Sequence, residues 1–294
     1  MPMLANADGF WRATIHSTRA ACSISPNAPA GRLVDPPLVS AAEVTPVLLE
    51  VADRLMLAFR HDREEEFGPE EDALPPVVTD AQRLLDQRLH EICASLASGA
   101  PRWHAQALSG VVSYRIGAID WMVIAGVECG HPSGIAGAYQ PASQELFITE
   151  PGACWSVRAG KRKQLETRQY RSLERAVLCL GDGVASAVDA QREAIDAMSR
   201  QVMLRRSVAP SFGLCLLALG EIDLFVDTRL TATEACVLGL LVRRAGGVIT
   251  DWNGSTPDKG QIVASANETL HQRALEVLGW KSGGIEQIHP HLLQ

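Results

Sequence analysis

The second half of the chain alternates between short apolar runs and longer helical stretches, and this alternation constrains the fold more than any other feature of the sequence. Apolar runs of strand length lie at residues 176–180, 222–226 and 247–251. Helices are predicted at residues 189–203, 212–219 and 232–245, with a last helix that starts near Thr269. Strands that alternate with helices are typical of layered α/β folds.

The first half of the chain predicts two helices followed by antiparallel strands. Apolar residues spaced along one helical face predict a helix at residues 42–61. A second helix is predicted at residues 79–96, with Thr79 or Asp80 as its N-cap. After Pro101 the pattern changes to short apolar runs broken by Gly and Pro. Strands are predicted at residues 110–119, 121–127, 135–139 and 145–148.

A length of 294 residues exceeds the usual size of one domain and predicts two fused subdomains with ample core. We place an N-terminal α+β subdomain at residues 44–175 and a C-terminal α/β subdomain at residues 176–294. Residues 1–43 combine several prolines with little periodicity, which predicts an irregular leader or an arm across a partner subunit. The acidic segment at residues 62–72 contains a Gly and a Pro and predicts a solvated loop.

Composition excludes several classes of function. A net charge of -7 and a pI near 5.6 argue against nucleic-acid binding, and the basic run at residues 158–163 is predicted to be a solvated turn between strands. No stretch approaches the ~18 apolar residues that span a bilayer. The first thirty residues contain no apolar run of the secretory type, so a cytoplasmic location is expected. The seven cysteines and eight histidines lack the spacing of zinc or disulfide motifs.

The segment TEACVLGLLVRRAGGVITDWNG at residues 233–254 predicts a helix that ends at a Gly pair and is followed by a strand and a turn. Gly246 and Gly247 suit the helix end because Gly accepts the left-handed conformation without steric cost. This pattern resembles the C-terminal signature of inositol monophosphatase-like proteins, in which a Trp-Asp pair opens a helix that ends in Ala-Gly-Gly.

The resemblance extends over roughly residues 44–280. Residues 217–225 (LALGEIDLF) are similar to the family pattern VAxGxxDxF, residues 134–141 (GIAGAYQP) to GVVYxP, and residues 262–267 (IVASAN) to a late strand. Val78 and Thr79 are similar to the start of VTxxD. The resemblance implies a layered α-β-α-β-α sandwich, a homodimer, and hydrolysis of small phosphate monoesters with Mg²⁺ held by carboxylates.

The sequence departs from the family at the acids that hold magnesium. The family's GEES turn aligns with residues 107–110 (ALSG), which contain no acid. The DPIDGT motif aligns its first four letters with residues 117–120 (GAID), so that Gly117 replaces an Asp and only Asp120 remains. The Gly-Thr helix start that would cradle phosphate is missing, because strand-like residues follow Asp120 at once. The Asp of VTxxD aligns with Gln82, and Glu234 retains an acid in place of the Asp of the Trp-Asp pair.

These alignments select the candidate site residues. Asp120 lies in an apolar run, where a charge is costly unless it is partnered or lines a cavity. Glu234 is either functional or a first-turn helix acid favoured by the macrodipole, with Thr231 or Thr233 as cap. His104 and Ser109 are candidates for acid–base or nucleophilic chemistry, against structural roles for each. The candidates for substrate binding are Trp121, Arg205 and Gln82.

Two functions remain open from the sequence. In the first, the fold is kept but Mg²⁺-dependent hydrolysis is lost, no cofactor is expected, and the cavity binds a small molecule or performs other chemistry. In the second, the chain is a metal-dependent phosphatase of a cyclitol, sugar or nucleotide phosphate. Asp120 and Glu234 are the weak candidate metal ligands. In the second case, displaced ligands would come from Asp80, Asp86 and Glu128, because magnesium needs several oxygen ligands.

Overall fold

The computed structural model describes residues 39–59, 76–94, 101–127, 134–169 and 172–279. Most of the predicted leader, the acidic segment at residues 62–72 and Glu128 lie outside these residues. The described part of the chain folds into two β-sheets and seven α-helices.

Two helices precede the first sheet. α1 spans Ala41–Ala58, and the Glu43 carboxylate at its start accepts hydrogen bonds from the backbone N–H and the hydroxyl of Ser40, at 2.8 and 2.7 Å. α2 spans Pro76–Ala94. It begins before the predicted start, so the prediction of Thr79 or Asp80 as N-cap is wrong. Proline suits the first turn of a helix because that turn needs no hydrogen bond from its N–H.

The first sheet is antiparallel and its six strands lie in chain order. They are β1 Trp103–Ser109, β2 Met122–Val127, β3 Ile135–Gln140, β4 Glu145–Glu150, β5 Ala153–Arg158 and β6 Lys161–Gln164. The strands predicted at residues 121–127, 135–139 and 145–148 are confirmed with small shifts at their ends. The basic run at residues 158–163 contains the exposed turn between β5 and β6, as predicted.

The prediction of a strand at residues 110–119 is wrong. β1 ends at Ser109, and a short helix, α3 Val111–Ile116, follows it. Gly110 and Gly117 flank this helix with φ angles of 89° and 72°. Left-handed residues at both ends break an extended strand, and glycine adopts that conformation without strain. The apolar residues of this segment had the composition of a strand, but its two glycines decide the local structure.

The second sheet is mixed and has the order β10-β11-β9-β7-β8. Its strands are β7 Val177–Leu180, β8 Leu204–Ser207, β9 Leu224–Leu230, β10 Val248–Thr250 and β11 Gly260–Ser265. β7 runs parallel to β8 and β9, whereas β11 is antiparallel to β9 and β10. The sequence did not predict β8, because this exposed edge strand lacks an apolar alternation.

Four helices accompany the second sheet: α4 Asp189–Ser199, α5 Pro210–Ala218, α6 Ala232–Arg244 and α7 Glu268–Val277. Short 3₁₀ turns lie at Leu173–Arg175 and Asp182–Ser186. The prediction that α4 continues to residue 203 is wrong, because the helix ends at Ser199 and the chain turns into β8. Within the described residues, no helix is both long and apolar enough to cross a membrane.

Three apolar cores hold the five layers of helices and sheets together. α1 and α2 cover one face of the first sheet, where Leu48 and Leu85 pack near Val123. α5 and α6 lie between the two sheets and contribute Leu214 and Leu238 to the central core. α4 and α7 cover the outer face of the second sheet. The predicted α/β fold with α-β-α-β-α layers is confirmed.

Candidate functional site

The candidate site lies where the first turns of α5 and α6 meet the end of β1 and the turn after β7. Four carboxylates face this region closely enough for their charges to interact: Asp120, Asp182, Asp227 and Glu234. The N-terminal ends of helices carry partial positive charge, which favours negative groups nearby. The fold thus gathers acids from four separate segments of the chain.

Glu234 lies in the first turn of α6 and is 4% exposed. Its Oε2 accepts hydrogen bonds from the backbone N–H and the hydroxyl of Thr231, both at 2.9 Å. The Thr231 hydroxyl in turn accepts the N–H of Glu234 at 3.2 Å, so Thr231 is the cap and Thr233 is not. The other carboxylate oxygen, Oε1, accepts a hydrogen bond from the Ser109 hydroxyl at 2.5 Å. Protein donors therefore bind both oxygens of Glu234.

Ser109 ends β1 and is fully buried. Its hydroxyl is also hydrogen-bonded to the hydroxyl of Ser211, a buried residue in the first turn of α5. The structure therefore joins Ser109 and Glu234, two of the predicted site residues. The sequence did not single out Ser211.

Asp120 precedes β2 and is half-buried. Its Oδ2 accepts the backbone N–H of Ala209 at 2.8 Å. Ala209 directly precedes α5, so this bond satisfies a backbone donor at the start of that helix. Asp120 is thus partnered, and its charge still acts on Asp182 across the site.

Asp182 lies between two glycines in the turn that follows β7. A Cβ atom on Gly181 would lie 1.7 Å from Oδ2 of Asp227, and one on Gly183 would lie 2.2 Å from Oδ1. Asp227 is fully buried, and its Oδ1 accepts the N–H of Arg229 at 2.7 Å. The turn packs directly on the Asp227 carboxylate. This close approach requires glycine at positions 181 and 183, on either side of Asp182.

The environment changes the acidity of two carboxyl groups. Burial first, and then the charges of Asp120, Asp227 and Glu234, raise the pKa of Asp182 to about 6. Burial also raises the pKa of Asp227, although the N–H of Arg229 favours its charged form. A carboxyl group that titrates near pH 6 suits proton transfer close to neutral pH.

Two predicted residues, His104 and Arg205, lie away from these carboxylates. His104 is near the start of β1, where it pairs with Gly126, about 17 Å along the strand from Ser109. Arg205 is on the edge strand β8 and forms an exposed ion pair with Asp196 at 3.8 Å. The described contacts do not bring either side chain to the carboxylates.

Trp121 is fully buried in the core between the first sheet and α1 and α2. Its ring centroid lies 5.3 Å from that of Phe59 and 5.1 Å from that of Tyr114. Tilted and edge-to-face ring contacts of this kind in a packed core stabilise the fold. The described structure therefore encloses the predicted substrate-binding residue Trp121.

Gln82 connects α2 to β1. Its Oε1 accepts the N–H of Ala107 at 2.8 Å, and its Nε2 donates to the carbonyl of Ala105 at 3.3 Å and to Asp86 at 3.0 Å. These bonds satisfy backbone groups on the open edge of β1, an edge that would otherwise be unpaired. Gln82 thus anchors the strand that ends at Ser109.

The sequence profile of the inositol monophosphatase family matches residues 129–279, just over half of the 294-residue chain. The chain belongs to the inositol monophosphatase family. Histidinol-phosphatase from Mycobacterium tuberculosis is 25% identical over 230 residues, which cover 74% of this chain and 88% of that protein. Nus factor SuhB from Xylella fastidiosa is 28% identical over 200 residues, with coverages of 64% and 70%.

Among solved structures, extragenic suppressor protein suhB from Bartonella henselae superposes with a TM-score of 0.70. The match covers 81% of this chain and 97% of that chain at 18% identity. At this identity the likeness shows the fold alone, and it agrees with the five layers described above.

Several candidate magnesium ligands of this family member already have hydrogen-bond or ion-pair partners within the described residues. Magnesium needs near-octahedral oxygen ligation from several groups. Within the described ranges, no three His, Cys, Asp or Glu side chains are arranged to hold a metal ion. Protein donors bind both oxygens of Glu234, and Oδ2 of Asp120 accepts a backbone N–H. Of the displaced candidates, Asp80 pairs with Arg83, and Asp86 accepts from Gln82.

The sequence contains weak indications of Asp227 and Asp182, the two site acids that were not predicted. Asp227 interrupts the apolar run of β9, where a charge is costly without a partner. Asp182 stands in a Gly-Asp-Gly triplet directly after a predicted strand, a place where backbone approaches another group closely. Only the pairing of β7 with β9 shows that these two signals belong to the same site.

The raised pKa of Asp182 predicts how stability depends on pH. Between the unfolded value of about 3.9 and the folded value of about 6, the folded state binds more protons, so stability falls as pH rises. We expect Asp182→Asn to raise the urea midpoint at pH 7.5, and we expect this gain to shrink below pH ~6 and vanish below pH ~4. Asp189→Asn, on the exposed start of α4, is the control and should show no such trend. A gain that is constant with pH would contradict the assignment.

Proposed function

We propose that this chain is a small-molecule-binding member of the inositol monophosphatase family that has lost Mg²⁺-dependent hydrolysis of phosphate monoesters. The observation that carries the proposal is the hydrogen bonding of the Glu234 carboxylate. Both of its oxygens are occupied by donors from Thr231 and Ser109 inside a closed, buried arrangement. A carboxylate held this way has little acceptor capacity left for a cation, because three donors occupy three of its roughly four lone-pair sites.

The altered motifs support the same proposal. Hydrolysis by metal ions requires that the ions activate a water and neutralise the phosphoryl oxygens. Residues 107–110 supply a buried serine instead of acids, and Gly117 ends a short helix where the family motif has an Asp. With these groups absent, the carboxylates that remain would repel a phosphate dianion.

The remaining groups indicate what kind of ligand the site would take. Ionised carboxylates accept hydrogen bonds and cannot donate them. A ligand that bears hydroxyl or amino groups would therefore be complementary to Asp120 and Asp182. With a pKa of about 6, Asp182 is the group suited to move a proton in non-hydrolytic chemistry at this site.

The second candidate function is a metal-dependent phosphatase of a small phosphorylated metabolite. One observation favours it: the charges of Asp120, Asp227 and Glu234 all raise the pKa of Asp182, and a bound cation would relieve this repulsion. Relatives are named both as a histidinol-phosphatase and as a Nus factor, so kinship alone does not choose between the two functions. Mg²⁺ would be the cofactor in this case.

Phosphate release distinguishes the two functions. With cyclitol, sugar and nucleotide phosphates and Mg²⁺ or Mn²⁺, we expect any phosphate release by the native protein to stay within about twofold of the rate of the Asp120→Asn variant. The variant is the control for contaminating phosphatase. Turnover by the native protein that falls at least about tenfold in Asp120→Asn would reject the proposal and favour the second candidate.

We also propose that the chain forms a homodimer, as the family resemblance implies. Light scattering coupled to size-exclusion chromatography should give twice the chain mass of 31.7 kDa. A single species at the chain mass would contradict this expectation.

A further inference from the structure

The hydrogen-bond partners that the structure shows for the buried Glu234 carboxylate are all uncharged. Glu234 is 4% exposed, and its hydrogen-bond partners at the side chain are Ser109 and Thr231. Taking an ionised carboxylate out of water costs several kcal/mol unless other groups compensate. The charges of Asp182 and Asp227 lie close enough to add repulsion.

The direction of the hydrogen bonds follows from the number of protons. A hydroxyl group has one proton to donate. Because Ser109 donates its proton to Oε1 of Glu234, the Ser211 hydroxyl must donate to the oxygen of Ser109. We call this arrangement, from Ser211 through Ser109 to Glu234, the hydroxyl chain. Hydrogen bonds in such a chain polarise one another and strengthen the bond to the carboxylate.

The other oxygen of Glu234 completes the arrangement. The N–H and the hydroxyl of Thr231 approach Oε2, and both belong to the N-cap residue of α6, at the helix end whose partial positive charge favours an acid. Each oxygen therefore meets neutral donors from the chain itself, and their dipoles point towards the charge.

We propose that the hydroxyl chain, together with Thr231, takes the place of a cation as the counter-charge of Glu234. This proposal rests on the proposed loss of metal-dependent hydrolysis and explains how the site stays folded without a metal. Ser109 is in this case a positioning residue, because it is fully buried and acts through Glu234 rather than on a ligand.

Urea unfolding of the full-length chain tests the proposal, in EDTA and in millimolar Mg²⁺. We expect the unfolding equilibrium constant of the native protein to be the same in both solutions. Ser109→Ala should raise that constant by about 10- to 100-fold, because a buried charge loses a donor. The matched control is Ser199→Ala, which removes a buried hydroxyl that has no hydrogen-bond partner among the described residues. It should change the constant by no more than about threefold.

A second pair of variants separates charge compensation from simple packing. In the Glu234→Gln background, the charge is gone, so Ser109→Ala should cost far less than it does in the native protein. If Ser109→Ala does not fold, Ser109→Cys keeps the volume and weakens the donor, and the same comparison applies.

Three outcomes would overturn the proposal. The first is a rise in native stability with Mg²⁺ that disappears in Glu234→Gln. The second is a Ser109→Ala effect as small as that of Ser199→Ala, and the third is an equal cost of Ser109→Ala with and without the Glu234 charge. The first outcome would also count against the proposed function, whereas the second and third would overturn only the role of the hydroxyl chain, so the two failures are distinguishable.

Discussion

Gly181→Ala will destabilise the fold by about 3 kcal/mol, because the new methyl group has no space. Its Cβ atom would lie 1.7 Å from Oδ2 and 2.6 Å from Cγ of Asp227. Asp227 cannot move away easily, since Oδ1 is bound to the N–H of Arg229 and its strand pairs with β7 and β11. Gly181 has a φ of -80°, so the cost is steric and not conformational.

Chemical denaturation of Gly181→Ala and Gly152→Ala measures this effect. Gly152 lies in the turn between β4 and β5 with φ of 79° and has no heavy atom within 4 Å of an added Cβ. Its substitution should cost only the ~1 kcal/mol of a left-handed residue. Equal losses for the two variants would show that the turn at Asp182 can move away from Asp227, against the geometry described here.

Asp223→Ala should cost about 3–5 kcal/mol, because it removes the centre of a buried ionic arrangement. Asp223 is fully buried, and its Oδ2 accepts the N–H of Val177 at 2.8 Å and the guanidinium of Arg168 at 3.1 Å. Its carbonyl also accepts the N–H of Ala266 at 2.9 Å. The residue thus ties together the segments that begin β7, begin β9 and follow β11.

Asp189→Ala is the control for this substitution. Asp189 also pairs with an arginine, Arg192, at 3.3 Å, but its side chain is 96% exposed. Exposed pairs of this kind contribute less than about 1 kcal/mol, so the control should remain close to native stability. A loss for Asp223→Ala no larger than that of the control, measured by urea unfolding, would contradict the structural role assigned to Asp223.

Local features of the site were readable from the sequence. The sequence predicted Thr231 or Thr233 as the cap of the helix that carries Glu234, and the structure shows that Thr231 has this role. The Gly pair at residues 246–247 predicted the end of α6, and Gly246 indeed has a φ of 91°. Both features depend on neighbours within a few residues, where spacing and conformational preference determine the geometry.

Two other local patterns gave a wrong or a missing prediction, because the structure of these segments depends on residues elsewhere in the chain. Residues 110–119 have the apolar content of a strand, but Gly110 turns the chain into a short helix beside Trp121. β8 has four exposed residues and no apolar period, and it forms only because β7 offers a free parallel edge. An edge strand such as β8 forms by hydrogen-bonding to the backbone of its neighbour, and its own sequence contains no information about that neighbour.

The sequence by itself determined the layered fold and the family resemblance, because these follow from periodicity, order and residue identity. The tertiary structure alone decided what surrounds the acids that remain. Ser109 meets Glu234 across 125 positions of sequence, and Asp182 meets Asp227 through the pairing of β7 with β9. Hydrogen bonds and charge repulsion act over a few ångströms of space, so only the folded chain shows which donors and charges each carboxylate meets.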